Sequence, residues 1–516
     1  MRNHSNWKPV VTLLHIRSFV LGLTLVAAGC SRTAQISDAG GGIPRALESG
    51  RIAEVTLLQI NDVYEITPAE GGRSGGLARV ATLRRQLLAE NPNTFTVLAG
   101  DFLSPSALGT ARVDGERLAG KQMVAVLNAV GVDFVTFGNH EFDLSRDQLA
   151  SRIAESEFVY ISGNVFDNDG RPFPGAEPYR IIEIPSSGDT LRIGVIAVTA
   201  PFNQAEYVSY EDYTEVVKRQ AALLRPNVHI LVALTHLALA QDVGLAQEVP
   251  ELDLILGGHE HENVQLWRGP DMTPIVKADA NVRSVYVHRL RYDFDSSTLA
   301  INIDLELITD QIEDDPATAA IVNEWLDRAW DGFRSGGFDP AAPVVTIAEP
   351  LDGREAVVRN QPSALTKLIA QGMRSAAGDV DLAIFNSGSI RIDDVLPPGL
   401  VTEYDVIRVL PFGGEILTVE MTGGLLDSVL TQGVENKGAG GFLQVDGAAQ
   451  DGVFWRVGDE LLLPRHKYRV AVNDFLVSGR ERGLGYLTFD DPRITKIDSH
   501  GDIRMAVIAE LKRRYR

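Results

Sequence analysis

The chain has 516 residues, which is too long for one hydrophobic core and predicts at least two domains. Hydrophobic residues make up 45% of it and charged residues 23%, which is typical of a folded protein and argues against a disordered one. The formal net charge of −21 argues against a protein that binds nucleic acid through a basic face, so any phosphate site must be built locally from metal ions or arginines.

The first thirty residues have the layout of an export signal. Residues 1–17 carry basic side chains and no acid, and the apolar run "SFVLGLTLVAAG" that follows is too short to cross a bilayer as a helix. The run leads into "LVAAGC", which resembles the lipobox of bacterial lipoproteins and ends in Cys30, the single cysteine. This resemblance implies cleavage after residue 29 and a lipid on Cys30; a plain cleaved signal with an incidental cysteine is the alternative.

We therefore expect a signal peptide over 1–29 and a flexible tether over 30–53, which contains a run of glycines and a proline. The mature protein would be exported to the periplasm or the cell surface. The lipid on Cys30 would hold it on a bacterial membrane, with the inner and outer membranes both open as destinations.

Apolar strand-like runs alternate with helical patterns over residues 54–312. The runs "VTLLQI", "TFTVLAG", "LRIGVIAVT", "HILVALTH" and "LDLILGGH" are short and mostly apolar, and segments such as "GLARVATLRRQLLAE" have helical spacing. Strands of this kind are buried on both faces of a sheet that helices cover. The pattern predicts an α/β layered (sandwich) domain.

One amphipathic helix, "DPATAAIVNEWLDRAWDGFR", dominates residues 313–339, and a Gly/Pro-rich break adjoins its end. Residues 340–516 mix helical patterns with strands such as "DLAIFNSGSI" and "KYRVAVNDFLV". The predicted fold class is α/β with two domains. A layered domain over 54–312 is followed by a bridging helix over 313–339 and a smaller α/β domain over 340–516.

Polar side chains follow the strands of the first domain, at the edge where α/β sheets place their sites. A single buried histidine behind a strand is more often a core residue than a ligand. Several such histidines, joined by two aspartates in one domain, favour a metal site instead, and this mixture of donors suits Mn, Zn, Fe or Co better than Ca. The residues are Asp62, Asp101, Asn139, His140, His236, His259 and His261.

The order of these motifs, Asp62, then "GD", "GNHEFD", "TH" and "GHEH", resembles that of the calcineurin-like metallophosphoesterases. In the second domain, "FNSGSIR", "VLPFGG" and "GGFLQVDG" are similar to elements of the 5′-nucleotidase family, and the resemblance extends over about residues 54–500. It implies an enzyme, a phosphoric monoester hydrolase that releases phosphate from 5′-nucleotides or related nucleotide esters.

The resemblance also implies two divalent metal ions, Mn, Zn, Co or Fe, that share the carboxylate of Asp101. In such sites the two ions activate a water molecule for attack and neutralise the charge that develops on the phosphoryl group. The remaining ligands implied are Asn139, His236 and His259 for one ion, and Asp62 and His261 for the other.

His140 and Asp143, three residues apart in "GNHEFD", match the catalytic dyad of that family. The imidazole would face the phosphate, where it would stabilise the transition state or protonate the leaving oxygen, and the carboxylate would fix its tautomer. Asp143 has a second interpretation, as the N-cap of the helix predicted for "SRDQLASRI".

The second domain is expected to bind the nucleoside. By resemblance, two aromatic rings would stack on the base, two arginines would reach the phosphate across the domain cleft, and an amide and an acid would lie near the base and ribose. The matching residues are Phe412 and Phe475, Arg359 and Arg391, and Asn386 and Glu481. Around Glu481 the chain reads "VSGRERGLGY" where the family commonly has Gly-Gly-Asp-Gly, so the identity of the nucleotide stays open.

Tyr64 is the clearest departure from the family pattern, which has a histidine ligand two residues after Asp62. A neutral phenol, with a pKa near 10, is a poor ligand for a divalent ion. If the segment is extended, period-2 alternation points Asp62 and Tyr64 to the same side. We therefore expect a firm first metal site and a weaker or altered second one.

Two other functions remain as alternatives. The same scaffold could hydrolyse cyclic nucleotides, nucleotide sugars or another ester. Alternatively, the chain could be a nucleotide-binding surface lipoprotein with a degenerate site, which Tyr64 favours and the retention of the other ligands disfavours.

Overall fold

The structure, a computed structural model, describes residues 51–186 and 188–516. The predicted signal peptide, the lipid site at Cys30 and most of the predicted tether lie outside the described residues. The tether prediction, 30–53, extends too far, because the first strand begins at Ile52. Ala53 and Val55 of that strand are already buried in the core of the first domain.

The first domain is built from short strands with helices between them. Its strands and helices are, in chain order, β1 (Ile52–Ile60), α1 (Leu77–Glu90), β2 (Thr94–Leu98), β3 (Arg112–Val113), β4 (Glu116–Arg117), α2 (Lys121–Val130), β5 (Phe134–Val135), α3 (Arg146–Glu155), β6 (Val159–Ile161), β7 (Val165–Asp167), β8 (Ala176–Glu177), β9 (Tyr179–Ser186), β10 (Asp189–Thr199), β11 (Val208–Tyr210), α4 (Tyr213–Leu224), β12 (Ile230–His236), α5 (Leu239–Glu248), β13 (Leu254–Gly257), β14 (Val264–Arg268), β15 (Thr273–Lys277), β16 (Ser284–Asp293) and β17 (Thr298–Leu307).

Two mixed sheets form the layers of this domain. One has seven strands in the order β17-β16-β1-β2-β5-β6-β8, and the other has six in the order β14-β15-β13-β12-β10-β9. Parallel pairing joins β1 to β2 in the first sheet, and β12 to both β10 and β13 in the second. Loops that leave the carboxyl ends of parallel neighbours lie at one edge of their sheet, which is where the polar motifs occur.

Strand β1 takes part in two cores, because its side chains alternate between the faces of the sheet. Leu57 faces a buried cluster that residues of both sheets share. Leu58 faces a second cluster that Leu77 of α1 and Met123 of α2 cover. Helices α4 and α5 cover the outer face of the six-stranded sheet. The prediction of a layered α/β domain is thus confirmed.

Helix α6 (Pro316–Ser335) follows the first domain, within the segment 313–339 predicted to contain a bridging helix. Asp315 is its N-cap and accepts a hydrogen bond from the backbone N–H of Thr318. Ala329 and Phe333, both buried, lie on the face that packs into the cluster of α1 and α2.

The second domain has its own sheet. Its strands and helices are, in chain order, β18 (Pro343–Ile347), β19 (Leu351–Asp352), α7 (Glu355–Val358), α8 (Ala364–Ala377), β20 (Leu382–Asn386), β21 (Val395–Leu396), β22 (Gly399–Thr402), α9 (Glu403–Val409), β23 (Glu415–Thr422), α10 (Gly423–Glu435), β24 (Leu443–Asp446), β25 (Ala448–Asp451), β26 (Phe454–Val457), β27 (Glu460–Leu461), β28 (Lys467–Asn473), β29 (Ile494–Asp502) and α11 (Ile503–Arg514).

The main sheet of this domain has five strands in the order β24-β20-β28-β23-β29. Along β20, Ala383 and Phe385 face the cluster that includes α8 and α11, and Leu382 and Ile384 face the cluster that includes α10. The predicted two-domain α/β class is therefore confirmed for the second domain as well. No helix in the described part of the chain combines the length and the apolar character needed to cross a membrane.

Candidate active site

Three strands of the first domain bring polar side chains to one buried point. Asp62 follows β1 closely, Asp101 follows β2, and His236 is the last residue of β12. One ligand atom from each lies within 4.8 Å of the other two, and all three residues are at most 1% exposed. Because β12 belongs to the second sheet, this point lies where the edges of the two sheets meet.

The backbone at these residues adopts a conformation that non-glycine residues rarely adopt. The φ angles of Asp62, Asp101 and His259 are 51°, 56° and 81°. Left-handed conformations cost a non-glycine residue about 1–3 kcal/mol each and are found mainly at functional sites. A Cβ at Gly138 would lie 2.1 Å from Asp101 Oδ1, so only glycine fits at this position of "GNHEFD". Because Asp62 is left-handed, the segment up to Tyr64 is not extended and period-2 alternation does not apply to it, although the Tyr64 hydroxyl does face Asp62.

Two buried atoms of the predicted ligands make no hydrogen bond within the described part of the chain. Asn139 Oδ1 and His236 Nε2 are buried and make no hydrogen bond with any described residue. His236 Nε2 lies 3.2 Å from Asp101 Oδ2, and the Nδ1 atom of the same ring lies 2.8 Å from the carbonyl oxygen of Ala99. If Nδ1 carries the proton, Nε2 presents a lone pair to the cluster. Buried polar atoms without partners are costly, so these donors fit a metal ion.

His259 borders the same cluster. Its backbone N–H donates to Asp62 Oδ2 at 2.9 Å. Its ring stacks on Phe202 with centroids 4.5 Å apart and meets the ring of His236 edge-on at 5.4 Å. These contacts fix the orientation of the imidazole before any ligand binds.

The cluster has a strong negative potential. Burial alone would lower the pKa of His236, but the carboxylate of Asp101 outweighs burial and raises it to about 10. Burial and the charge of His236 lower the pKa of His259 to about 3. Asp101 thus stabilises positive charge beside His236, and a bound cation would supply that charge while His236 and His259 act as neutral ligands.

Tyr64 fills the position beside Asp62. Its hydroxyl oxygen lies 3.3 Å from Asp62 Oδ1, 3.2 Å from Asp101 Oδ2 and 3.1 Å from His261 Nε2. These are hydrogen-bond distances, and they are also close to the spacing of about 3.3 Å between tetrahedral ligands that lie about 2 Å from an ion. Burial, with the charges of Asp101 and Asp62, raises the pKa of the phenol well above its ordinary value.

His261 is oriented by the second domain. Its Nδ1 lies 2.6 Å from Asp393 Oδ2, and Asp393 also accepts a hydrogen bond from the backbone N–H of Glu355 at 2.7 Å. Burial would lower the pKa of His261, but Asp393 and Glu355 raise it to about 9. A carboxylate on the far nitrogen of a ligand histidine is common in metal sites. The sequence offers only one weak signal for Asp393, its position two residues after Arg391.

His140 and Asp143 form the predicted pair within one turn of 3₁₀ helix, His140–Asp143. His140 Nδ1 lies 2.7 Å from Asp143 Oδ2, and the backbone N–H of His140 donates to Asp101 Oδ1 at 2.8 Å. Burial would lower the pKa of His140, but Asp101 and Asp143 raise it. Asp143 is not the cap of α3, because Ser145 is the N-cap and forms a capping box with Gln148.

Glu141, to which sequence analysis gave no role, holds the loop of Asp101. Its carboxylate accepts backbone N–H groups of Asp101 at 3.0 Å, Phe102 at 2.8 Å, Leu103 at 3.0 Å and Gly138 at 2.5 Å. Burial, with the charge of Asp101, raises the pKa of Glu141 to about 7. Its position inside "GNHEFD" is the only sequence signal for this function.

Lys277, like Glu141, holds loops of the site in place. It is fully buried, and its Nζ donates to the carbonyl oxygens of Leu237 at 2.6 Å and Gly258 at 2.8 Å. Asp242 lies 2.9 Å from the ammonium group, and Glu260 also pairs with it. Lys277 thus ties the loop after His236 to the loop that contains His259. A lone lysine at the end of a strand gives no sequence signal for this contact.

Arg391 and Phe412 are neighbours in the second domain. The guanidinium carbon of Arg391 lies 5.7 Å from the centre of the Phe412 ring, and the ring is 47% exposed. Arg391 Nη1 lies 3.9 Å from Glu355, which also pairs with Arg359. The two predicted phosphate-binding arginines therefore share one carboxylate, which lies 3.9 Å from His261.

Asn386 and Glu481 contact each other directly. Asn386 Nδ2 donates to Glu481 Oε2 at 2.9 Å, and Asn386 Oδ1 accepts from Ser389 at 2.7 Å and Asn473 at 3.0 Å. Burial raises the pKa of Glu481. The amide and the acid predicted for the base and ribose are thus brought together, despite the different glycine pattern around Glu481.

Phe475 is half-buried, with the guanidinium carbon of Arg480 5.1 Å from the centre of its ring. Stacking on both rings at once remains a prediction.

Comparison with known protein families identifies both domains. Residues 55–263 match the calcineurin-like phosphoesterase family. Residues 343–489 match the 5′-nucleotidase C-terminal domain. The two matches occur in the order predicted from the motifs.

Relatives with similar sequences include two named nucleotide hydrolases. The chain is 25% identical to bovine (Bos taurus) 5′-nucleotidase, over 88% of this chain and 87% of the bovine protein. It is also 25% identical to the trifunctional nucleotide phosphoesterase protein YfkN of Bacillus subtilis, over 87% of this chain but only 33% of that longer protein.

Among solved structures, the fold is similar to that of the 5′-nucleotidase precursor from Thermus thermophilus. The TM-score is 0.72 at 24% identity, over 90% of this chain and 97% of the Thermus chain. At this identity the similarity establishes the fold of both domains.

Proposed function

Because the chain belongs to the 5′-nucleotidase family, with a calcineurin-like phosphoesterase domain before a 5′-nucleotidase C-terminal domain, we propose that it is an exported, metal-dependent phosphoric monoester hydrolase that acts on 5′-nucleotides or related nucleotide esters. One observation carries the proposal. His236 Nε2 lies 3.2 Å from Asp101 Oδ2, and Asp101 Oδ1 accepts the backbone N–H of His140 from the His140–Asp143 pair. Asn139, which precedes His140 in the same loop, has a buried Oδ1 that makes no hydrogen bond with a described residue.

We propose that Asp101, Asn139, His236 and His259 hold one divalent ion firmly. Such an ion supplies positive charge that binds a phosphoryl oxygen and lowers the pKa of water. The protein's contribution is preorganisation. Glu141 fixes the loop of Asp101, and the left-handed backbone of Asp101 keeps its carboxylate at the cluster, so little reorganisation is needed when substrate binds.

His140 would act on the leaving oxygen. Asp143 fixes the Nδ1 side of the ring at 2.7 Å, so the Nε2 side is the one that would face substrate. The neighbouring carboxylates raise the pKa of the imidazole, which therefore carries a proton at higher pH than a free histidine does. Ser104, at 3.1 Å, and Asn203, at 2.8 Å, hold Asp143 in turn. A positioned acid of this kind contributes about 10²–10⁴-fold to a rate.

A second ion would bind more weakly, between Asp62, Asp101 and His261. The hydroxyl of Tyr64 lies within 3.3 Å of one donor atom from each of them. Burial and the neighbouring carboxylates raise the pKa of this phenol well above its ordinary value, so it offers a neutral oxygen where a histidine would offer a stronger donor.

The nucleoside would bind against the second domain. Arg391 lies beside the exposed ring of Phe412, and its charge is near enough to lower the pKa of His140 in part. A guanidinium between the catalytic histidine and an exposed aromatic ring suits a substrate with a phosphate at one end and a base at the other.

The proposal is tested by a substrate panel on the purified protein, with metal quantification of the same sample. We expect the wild type to bind divalent metal and to release phosphate from a 5′-nucleotide. Asp101→Ala and His236→Ala should lose metal and activity while remaining folded by circular dichroism. Unchanged turnover of p-nitrophenyl phosphate in these variants would refute the metal assignment.

Phe412→Ala separates nucleotide hydrolysis from the alternative of a general ester hydrolase. With the base contact removed, hydrolysis of a 5′-nucleotide should fall about tenfold or more, while hydrolysis of p-nitrophenyl phosphate should not. An equal loss on both substrates would contradict a base site at Phe412. A protein without bound metal, and without activity in added Mn²⁺, Co²⁺ or Zn²⁺, would be a binding lipoprotein instead.

Export and lipidation rest on the sequence of residues 1–30 alone. In a bacterial host, Cys30→Ala should move the protein from the membrane fraction to the soluble fraction. A variant that stays in the membrane fraction would contradict the lipid anchor.

A further inference from the structure

A cavity outside the metal cluster has an unusual charge for this protein. It has a volume of about 820 Å³, within the range of small-molecule sites, and lies between the β3–β4 hairpin, the first turns of α2 and α3, and helix α6. Five cationic side chains line it, against three carboxylates: Asp114, Glu116 and Asp147. In a chain with a net charge of −21, a predominantly basic cavity stands out.

Three of the cations lack an ionic partner. Arg112, Arg117 and Lys121 are exposed, and none lies within 4.0 Å of a carboxylate oxygen of a described residue. The other two basic residues are paired, Arg152 with Glu155 and Arg328 with Glu324. Unpaired cations that face one cavity attract an anion, and the guanidinium group of arginine matches the oxygens of a phosphate or a carboxylate in a bidentate geometry.

The cavity also contains an aromatic surface. The ring of Trp325 on α6 is half-buried against the core and lines the cavity, and the guanidinium carbon of Arg328 lies 4.8 Å from the ring centre. The Arg328 guanidinium lies over the indole, and bases stack on guanidinium planes as well as on aromatic side chains, so this pair suits a ligand that joins a phosphate to a planar ring.

Shared side chains connect this cavity to the proposed active site. Arg117 and Gln148 line both the large cavity and a smaller one of about 120 Å³, whose wall includes Asp143 and Phe412. Arg112 and Arg117 also line a third cavity, of about 270 Å³, whose wall again includes Phe412. The basic cavity therefore adjoins two smaller cavities that reach Phe412, one of which also reaches Asp143.

We propose that this basic cavity is a subsite for a second phosphate and planar group on the leaving nucleoside, so that favoured substrates are 5′-phosphorylated dinucleotides. This inference rests on the proposed function. Water would attack the terminal 5′-phosphorus, the bond from phosphorus to the 5′-oxygen would break, and the 5′-oxygen would take a proton from His140. The internal phosphodiester would stay intact, with its charge beside Arg117 and Lys121 and its second base on Trp325.

The test compares three substrates on the metal-loaded, full-length protein: 5′-AMP, adenosine 3′,5′-bisphosphate and a 5′-phosphorylated diadenylate. We expect kcat/KM to rise in that order. In the double variant Arg112→Ser/Lys121→Ser, the ratio of kcat/KM for the dinucleotide to that for 5′-AMP should fall about tenfold, as the loss of charge-assisted contacts predicts. In Trp325→Ala, kcat/KM for the dinucleotide should no longer exceed kcat/KM for the bisphosphate.

The control is Arg268→Ser/Lys367→Ser, which removes one exposed arginine and one exposed lysine outside the cavity. It should leave the kcat/KM for the dinucleotide unchanged relative to that for 5′-AMP and relative to that for the bisphosphate. A wild-type ratio in Arg112→Ser/Lys121→Ser, or no preference of the wild type for the longer substrates, would overturn the subsite while leaving the proposed function intact. If the wild type hydrolyses none of the three substrates, the result contradicts the proposed function.

If the protein hydrolyses none of the substrates, a binding measurement still tests the subsite. Calorimetry on metal-loaded His140→Asn should give tighter binding of the bisphosphate than of 5′-AMP, and Arg112→Ser/Lys121→Ser should abolish the difference. Equal affinities in the parent protein would overturn the subsite.

Discussion

At the scale of single residues, Tyr64 lies among the residues proposed to hold a second metal ion. Its oxygen lies at similar distances, 3.1–3.3 Å, from donor atoms of Asp62, Asp101 and His261, which is the place of a fourth donor. The ring is 5% exposed, so water does not compete for these contacts. In the proposed second site, Tyr64 would therefore contribute a phenol in place of an imidazole.

Tyr64→His should strengthen binding of the second ion. A neutral imidazole donates a lone pair without first losing a proton at neutral pH, whereas a phenol must ionise. We expect the affinity for the second equivalent of Mn²⁺ to rise about tenfold, or about 1.4 kcal/mol. Titration calorimetry with metal counting on the purified protein measures it.

Tyr64→Phe is the matched control, because it removes the hydroxyl without adding a ligand. Its second-ion affinity should not rise. If Tyr64→His behaves like Tyr64→Phe, residue 64 does not occupy a ligand position.

Glu141 should matter to the metal site although it is not a ligand. In Glu141→Gln an amide group replaces an oxygen that accepts backbone N–H groups, so donors face donors around the loop of Asp101. We expect a loss of about 2–3 kcal/mol in the free energy of unfolding. First-ion affinity should fall as well, because Asp101 is no longer held in its left-handed conformation.

Urea unfolding and calorimetry measure the two effects. Glu157→Gln, at an exposed position, is the control and should change neither quantity. A Glu141→Gln protein with normal stability and normal metal affinity would show that its four backbone contacts do not hold the site.

At the scale of the elements, a polar bridge beneath the site joins the two sheets. Gln59 of β1 donates to the carbonyl oxygens of Gly257 on β13 at 3.0 Å and Val276 on β15 at 2.8 Å. His288 of β16 lies 2.9 Å from Gln59 Oε1 through its Nε2. The bridge fixes the strand that leads to Asp62 against the strand that leads to His259.

This bridge should make the protein acid-sensitive. Burial lowers the pKa of His288 from 6.5 to about 3. Between these pH values the unfolded chain binds a proton at this residue and the folded chain does not, so stability is full above pH 6.5 and falls as the pH decreases towards 3. The slope from one such group is at most about 1.4 kcal/mol per pH unit.

His288→Gln keeps a hydrogen-bond donor for Gln59 and removes the titration. Urea unfolding at several pH values between 4 and 7 gives the free energy of unfolding of wild type and variant. Any advantage of the wild type should shrink, or change into an advantage of the variant, as the pH decreases. Parallel pH profiles would mean that His288 is not the buried neutral group inferred from its surroundings.

The elements also show what the sequence could and could not predict. The meeting of Asp62 and Asp101 follows from a general rule, because the loops after buried parallel strands lie at one edge of a sheet. His236 joins them from the other sheet, so its place depends on how the two sheets pack. Glu141, Lys277 and Asp393 were missed because their functions depend on contacts with loops or domains far along the chain. The left-handed backbone at Asp62 was missed for a related reason: surrounding contacts, rather than local preference, impose it.

At the scale of the whole molecule, the two domains meet through buried charge. Glu65 of the first domain and Asp394 of the second both lie near Arg408, at 3.9 Å and 3.5 Å, and Asp405 lies at 3.9 Å. The backbone N–H of Glu70 also donates to Asp394 at 3.0 Å. Since His261 pairs with Asp393 beside this junction, the position of the second domain affects a candidate metal ligand directly.

Arg408→Met should therefore disturb both domain docking and the metal site. It leaves Glu65, Asp394 and Asp405 close together without their shared cation, and breaking a buried ion pair from one side costs about 3–5 kcal/mol. Arg374→Met, which removes a more exposed pair with Asp446, is the control and should cost about 1 kcal/mol or less. Thermal unfolding gives the stabilities, and small-angle scattering detects separation of the domains. If Arg408→Met is no less stable than the control and just as compact, the junction is held by the apolar core that α6 and both domains share, and the charge cluster contributes little.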